Sequence, residues 1–269
     1  MTRRESCHLL DMLAKLRDPR KDKGKRHPLK SILALMVIGL MCGHKGYTSI
    51  ATWARSQPAL AKALSFTHKK TPCASTIHNL LKRLDVVVVE ETLTQWVKTV
   101  IKSRPDLTRC LDAVAIDGKT MRASQKSGAT TSHLLSVVSH ELGVTLTQRS
   151  VSDKTNEIPI STEILNLKTG EETHKVHYGI TSLNPEAASA KCLLALRRGH
   201  WSIENKSHWM RDTLLGEDAS PVRCGAIPQV MAALRNTALS VFRFAGITRI
   251  ADKMKYYASK PKLAVNMIK

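Results

Sequence analysis

The residues best suited to chemistry lie in one stretch, His200-Trp201-Ser202-Ile203-Glu204-Asn205-Lys206-Ser207-His208-Trp209-Met210-Arg211-Asp212. On a helix, residues four apart share a face, so His200, Glu204, His208 and Asp212 form a slowly drifting stripe. Ile203 and Met210 sit seven apart on an adjoining face. A carboxylate flanked by bulky apolar residues is held rigidly and partly out of water, which suits a metal ligand or a general acid/base. A surface helix of mixed charge is the plainer reading of the same residues. Zinc on His200, Glu204 and His208 is a third, but His-x₃-Glu-x₃-His is not the familiar zinc-helix spacing and no fourth ligand is evident.

A second acid stands out at Asp117, where Leu111-Asp112-Ala113-Val114-Ala115-Ile116 reads as a buried strand followed by Asp117-Gly118-Lys119-Thr120. Asp-Gly between β-like runs is a strong hairpin signal. The competing reading is an acid at the end of a core strand, where active sites of α/β sheets gather. Lys119 and Arg122 beside it would then contact phosphates. Local sequence leaves both readings open.

The elements that must position these acids are legible from periodicity. The first third is helical throughout: leucines at Leu9, Leu10, Leu13 and Leu16, then a helix from Leu29 to Met41 opened by Pro28, then Tyr47 to Ser56, Pro58 to Leu64 and 87–103. Between the first two lies a breaker-rich basic loop, Asp18-Pro19-Arg20-Lys21-Asp22-Lys23-Gly24-Lys25-Arg26-His27-Pro28, either a solvated charge run or a phosphate-holding loop. The segment Thr71 to Leu84 has the pattern of a DNA-reading helix. Ile77, Leu80, Leu81 and Leu84 face inward, while His78, Asn79, Lys82 and Arg83 are left outside. From residue 110 the period changes. Strands are expected at His133–Val138, Val144–Ser150 and His174–Ile180, and a helix over Glu157–Leu167. A long helix capped by Asn184-Pro185-Glu186 should run into the opening stretch and stop at Gly216. The last firm helix runs from Pro228 through Phe244.

Bulk composition narrows the partners. With 42 Lys+Arg against 22 Asp+Glu, the 269-residue chain carries a net charge of +20, which points to a polyanion, nucleic acid first. Six cysteines without a Cys-x-x-Cys pair argue against a disulfide framework or zinc ribbon and for a reducing compartment. The longest apolar run, Ile32 to Cys42, is shorter than the roughly 20 residues of a membrane helix. No signal peptide is visible, so a cytoplasmic, nucleoid-associated protein with no membrane partner is expected.

Several motifs in order resemble one family. Ala115-Ile116-Asp117-Gly118-Lys119-Thr120, Asp153-Lys154-Thr155-Asn156-Glu157-Ile158 and Val176-His177-Tyr178-Gly179-Ile180-Thr181-Ser182-Leu183 are similar to segments of the ISAs1 family of bacterial transposases, which includes the H-repeat-associated proteins. So are Arg198-Gly199-His200-Trp201-Ser202-Ile203-Glu204-Asn205-Lys206 and Gly216-Glu217-Asp218-Ala219-Ser220. Each motif alone is modest; the ordered set is specific.

The resemblance implies an α/β fold: an RNase H-like core with a mixed sheet, here reduced, over residues 108–269, preceded by an all-helical DNA-associated region over 1–107. It implies DNA cutting and joining by two aspartates and a glutamate holding two Mg²⁺ (or Mn²⁺) ions, with Asp117 as the first aspartate and Glu204 as the glutamate. Three carboxylates can hold two such ions about 3.5–4 Å apart. The implied partners are double-stranded DNA (element ends and target) and a second copy of the chain as a homodimer. DNA contacts are expected from Lys119, Arg122, Arg198, His200, Lys206, Arg211, Lys82 and Arg83. The family's second aspartate follows the helix after the Asn-Glu-Ile motif, yet here Leu165-Asn166-Leu167 passes directly into Lys168-Thr169-Gly170-Glu171-Glu172-Thr173. With flanking motifs intact, an internal deletion is the simplest account. Impaired catalysis is the expectation, and a DNA-binding remnant that competes with an intact transposase is the alternative.

Overall fold

The computed structural model describes residues 8–67, 69–108, 114–120, 133–151, 162–165, 172–175 and 189–269. The chain divides into two compact units, Met1–Ser152 with Gly199–Lys269, and Asp153–Arg198.

The larger unit is built on helices. The first three are α1 (Leu9–Leu13), α2 (Leu29–Met41) and α3 (Tyr47–Arg55). After them come α4 (Pro58–Ala63), α5 (Ala74–Leu81), α6 (Val86–Ser103) and the single turn α7 (Pro105–Thr108). The helix α2 is apolar all round and is buried at every position except Lys30, as a helix at the centre of a bundle should be. It packs against α1, α3 and three C-terminal helices: α10 (Ile227–Phe244), α11 (Ile250–Ser259) and α12 (Pro261–Asn266). The approach of α2 to α3 is close because Gly39 has no side chain; a Cβ there would lie 2.6 Å from Ile50. Helix α6 starts where Asp85 accepts from the backbone N–H of Val87 and Val88 at 3.0 and 3.3 Å, satisfying two donors that the first turn leaves orphaned. Its Trp96 meets Phe244 of α10 edge to face, centroids 5.6 Å apart.

Three strands complete this unit: β1 (Val114–Thr120), β2 (His133–Ser139) and β3 (Thr145–Val151), in the order β1-β2-β3. Both pairings are antiparallel. The β2–β3 connection is a tight turn closed by Gly143 at φ +64°, and so short a link joins only antiparallel neighbours. Leu134, Ser136 and Val138 are buried while Leu135 is exposed, the alternation of a sheet with one covered face. The expected buried strand before Asp117 is therefore half-exposed: Ile116 is on the open side and Ala115 on the covered one. The sheet leans on α6 and α10 through β3, so it shares a unit with the helical region across the 107/108 boundary expected from sequence.

In the smaller unit, β4 (Thr162–Leu165) pairs antiparallel with β5 (Glu172–Lys175). The sequence pattern predicted a helix over Glu157–Leu167, and the structure places strand at 162–165 instead. A four-residue segment has little helix to gain, and the linking residues 166–171 include Asn166 and Gly170, which favour turns. The expected cap at Asn184-Pro185-Glu186 lies outside the described residues. Helix α8 (Ala190–Ile203) leads into a π-helical turn at Glu204–His208 and then α9 (Trp209–Thr213). The last two helices, α11 and α12, extend the fold beyond the last helix expected at Phe244.

Candidate functional site around Asp117 and the Glu204 turn

Asp117 sits inside β1, not at its end and not in a turn; the strand continues through Gly118, and Asp117 is paired in register with Ser136. Both readings of the Asp-Gly pair are thereby corrected, because the β1–β2 ladder holds the backbone extended. The hydroxyl of Ser136 is buried and has no hydrogen-bond partner among the described residues.

Glu204 opens the π-helical turn. Such turns widen the helix by one residue and re-aim the side chains around them, so the stripe expected from ideal four-residue spacing is reshaped here. The Glu204 carboxylate is largely exposed, and its Oε2 lies 3.2 Å from Nδ1 of buried His208. That contact makes His208 a partner of Glu204, while the side chain of His200, the third residue of the zinc reading, lies outside the described residues. Lys206 is drawn inward: its Nζ donates to the carbonyl of His140 at 2.7 Å, tying the turn to the β2–β3 connection. Arg243 of α10 donates to the Lys206 carbonyl at 3.4 Å.

The strand and the helix meet through charge. Lys119, two residues beyond Asp117, donates to Asp212 of α9 and lies 3.4 Å from Asp218. Behind this contact, Arg211 is fully buried and makes a two-pronged pair with Glu217, Nε to Oε2 at 2.6 Å and Nη2 to Oε1. Arg235 of α10, also buried, donates to the carbonyls of Leu215 and Lys45 at 3.3 and 3.2 Å. Gly216 turns the chain between these groups at φ +60°, a conformation that favours glycine. Burial pushes Glu217 up, but the charge and hydrogen bonds of Arg211, aided by Lys119 and Arg235, overcome it and hold the carboxyl at about 2. Asp212 moves the other way. Burial raises its pKa, Lys119 pulls it down, and Asp218 and Glu217 push it up again.

These placements revise several expected DNA contacts. Arg211 is enclosed with Glu217 and offers nothing to a ligand at the surface. Lys119 is committed to two aspartates and Lys206 to the β-turn. Lys82 and Arg83 are exposed at the end of α5, and Arg198 is exposed on α8. Arg122 and the side chains of Asp117 and His200 lie outside the described residues. On α5, His78 is not an outward group: its Nδ1 lies 3.0 Å from the Tyr47 hydroxyl. Sequence reasoning missed that Asp212, Glu217 and Asp218 converge with Lys119. The Gly216–Ser220 motif contains Glu217 and Asp218, and the opening stretch contains Asp212, but neither signals the convergence. Among the described residues, no group of three or more His, Cys, Asp or Glu could hold a metal ion. Asp212 and Asp218 already share an ammonium, and a fixed cation there opposes a divalent one. The expected Mg²⁺ ligands are a different pair, Asp117 and Glu204, of which only the Glu204 side chain is among the described residues.

Comparison with known proteins starts from the helical region. Residues 10–97 match a family model described as DDE_Tnp_1-associated. Over 163 residues the chain is 28% identical to "Putative transposase YncI" of Escherichia coli O157:H7, covering 59% of this chain and 40% of that protein. The same identity holds for "Putative transposase YncI" of Escherichia coli K12, covering 63% of it. "H repeat-associated putative transposase YhhI" of Escherichia coli K12 is 24% identical over 59% of this chain and 41% of its own length. These likenesses support a transposase family. The match spans 40% of one of these YncI proteins and 63% of the other. No solved structure matches it. Among the described residues, no helix is long and apolar enough to cross a membrane.

Proposed function

We propose that this chain derives from a DNA transposase of the ISAs1 kind, with an RNase H-like catalytic region, that binds the ends of its element and cuts DNA weakly or not at all. The observation that carries the reading is the ordered likeness: a transposase-associated helical region over residues 10–97, and relatives named as transposases over 163 residues. The net charge of +20 suits a polyanionic substrate. In this reading Asp117 and Glu204 are the retained acids that would face Mg²⁺ or Mn²⁺, and the third carboxylate is lacking. Loss of one ligand to a catalytic metal removes several kcal/mol of transition-state stabilisation, about 10³-fold or more in rate.

The second reading is a DNA-binding protein without nuclease activity that competes for element ends. It is favoured by the sequence at Leu167-Lys168, where the segment that carries the family's remaining carboxylate is lacking. One experiment addresses both readings. Duplex DNA carrying element ends is titrated with the chain across a salt series, then incubated with Mg²⁺ or Mn²⁺ and scored for nicks. The leading reading expects salt-dependent binding with trace nicking that Asp117→Ala abolishes. Binding with nicking unchanged by Asp117→Ala points to a contaminant and favours the second reading. Robust nicking lost in Asp117→Ala overturns the impairment, and salt-independent or absent binding overturns both.

A further inference from the structure

The loop after α1 and the junction between α5 and α6 enclose a cavity of about 630 Å³, with Arg17, Arg20, Lys21, Lys25 and Arg83 in its lining. Three acids also line it, and each is already matched. Asp18 takes the Arg20 guanidinium at 2.9 and 2.7 Å. Asp22 takes Lys25 at 2.9 Å. Asp85 caps α6 by accepting from Val87 and Val88. Arg17, Lys21 and Arg83 are exposed and make no ion pair with an acid among the described residues, so the lining carries uncompensated positive charge.

Arg20 belongs to the same lining. Its side chain is only 9% exposed. Nε and Nη2 are engaged by Asp18, and Nη2 also by the His27 carbonyl at 2.6 Å. Nη1 is buried with no acceptor. A guanidinium N–H without an acceptor is costly, so a small shift of Arg20 that brings Nη1 to a phosphate oxygen in the cavity would be favourable.

We propose that this cavity is a seat for backbone phosphates of duplex DNA, with Arg20 held in place by Asp18 as its inner donor and Arg17, Lys21 and Arg83 as its outer cations. The seat is part of a longer track. Exposed Lys23 and Arg26 continue the loop on one side, and Lys82 extends α5 on the other, which suits an extended polyanion better than a single small anion. The inference rests on the DNA-binding reading above and adds which surface of the helical region does the binding. Contacts of this kind set affinity and salt dependence, not sequence preference.

The test uses the full chain and a fluorescent duplex of arbitrary sequence, with affinity followed over a salt series. Lys21→Gln/Arg83→Gln removes two exposed cations without disturbing a described ion pair. Lys255→Gln/Lys262→Gln, on α11 and α12, removes the same charge elsewhere. The expected result is a slope of log K against log salt reduced by about 2 in the cavity variant and little changed in the control. Equal reductions in both variants overturn the proposal by reducing it to net charge. A cavity variant with the slope of the unaltered chain also overturns it, leaving DNA binding itself intact. If the unaltered chain shows no salt-dependent binding, this inference and the DNA-binding reading fall together.

Discussion

The helical body around α2 and the charged patch around α9 bury their side chains by opposite means. In the body, twelve of the thirteen α2 residues are buried and nearly all are apolar; burial there is non-directional and follows apolar area. Around α9, buried groups carry charge: Arg211, Glu217 and Arg235, with Lys119 and Asp212 at the edge. Removing ions from water costs several kcal/mol each, and the cost is recovered only when geometry and extra hydrogen bonds are right. The body tolerates any well-filling apolar set, whereas the patch demands particular partners at particular distances. The demanding arrangement lies where β1, carrying Asp117, meets the helix that follows Glu204.

The largest expected effect breaks that contrast on the charged side. Arg211→Ala leaves Glu217 buried without its cation, a loss of about 3–5 kcal/mol read by chemical denaturation. The same pair sets an acid limb. The folded pKa of Glu217, about 2, lies below its ordinary 4.5, so its contribution is complete above the ordinary value and is lost as pH falls towards 2. A chain whose stability is flat between pH 5 and 2 would contradict this account of the pair.

A smaller loss is expected on the apolar side. Gly39→Ala places a methyl 2.6 Å from Ile50, a fully buried β-branched residue with little room to move. Overpacking of this kind costs about 1–3 kcal/mol, measurable as a lowered denaturation midpoint. A neutral result would mean that α2 and α3 slide apart freely, making the body less closely packed than its burial suggests.

The smallest effect tests a buried acid within the body. Glu90 of α6 is buried, accepts from Gln148 at 2.9 Å, and is raised by that burial despite Gln148 and Arg149. A raised carboxyl favours the folded state below its unfolded value, and that stability is lost as pH rises through the folded one. Glu90→Gln should flatten this limb and leave stability at neutral pH within about 1 kcal/mol or slightly higher. A loss as large as that of Arg211→Ala would show Glu90 to be a buried ion held by its partners, erasing the distinction drawn here.

Much of the helical body was legible in sequence because its signals are local. Pro28 before Leu29, the unbroken apolar run to Met41 and Pro228 inside α10 mark elements whose ends the structure places within a residue or two. The strands around Val138 and Val144 were likewise readable by alternation and by Gly143. The segment at 162–165 was misread because its helical spacing is brief and its strand character depends on pairing with 172–175. The stripe through Glu204 was misjudged for a related reason. An ideal four-residue period cannot anticipate a π-helical turn, from which Lys206 reaches the His140 carbonyl outside the helix while His208 pairs with Glu204 within it.

What the sequence by itself determined was composition and local order: a strongly basic chain, a helical first third, a carboxylate at Asp117 before a lysine, and a histidine- and tryptophan-rich helix bearing Glu204. Tertiary structure alone decided that Arg211 turns inward to Glu217, that Lys119 bridges to Asp212 and Asp218, and that Arg20, in a cavity wall, keeps one buried donor unmatched. Charge type is written in each residue, but whether a charge meets water, a partner or a ligand depends on which distant segments fold beside it.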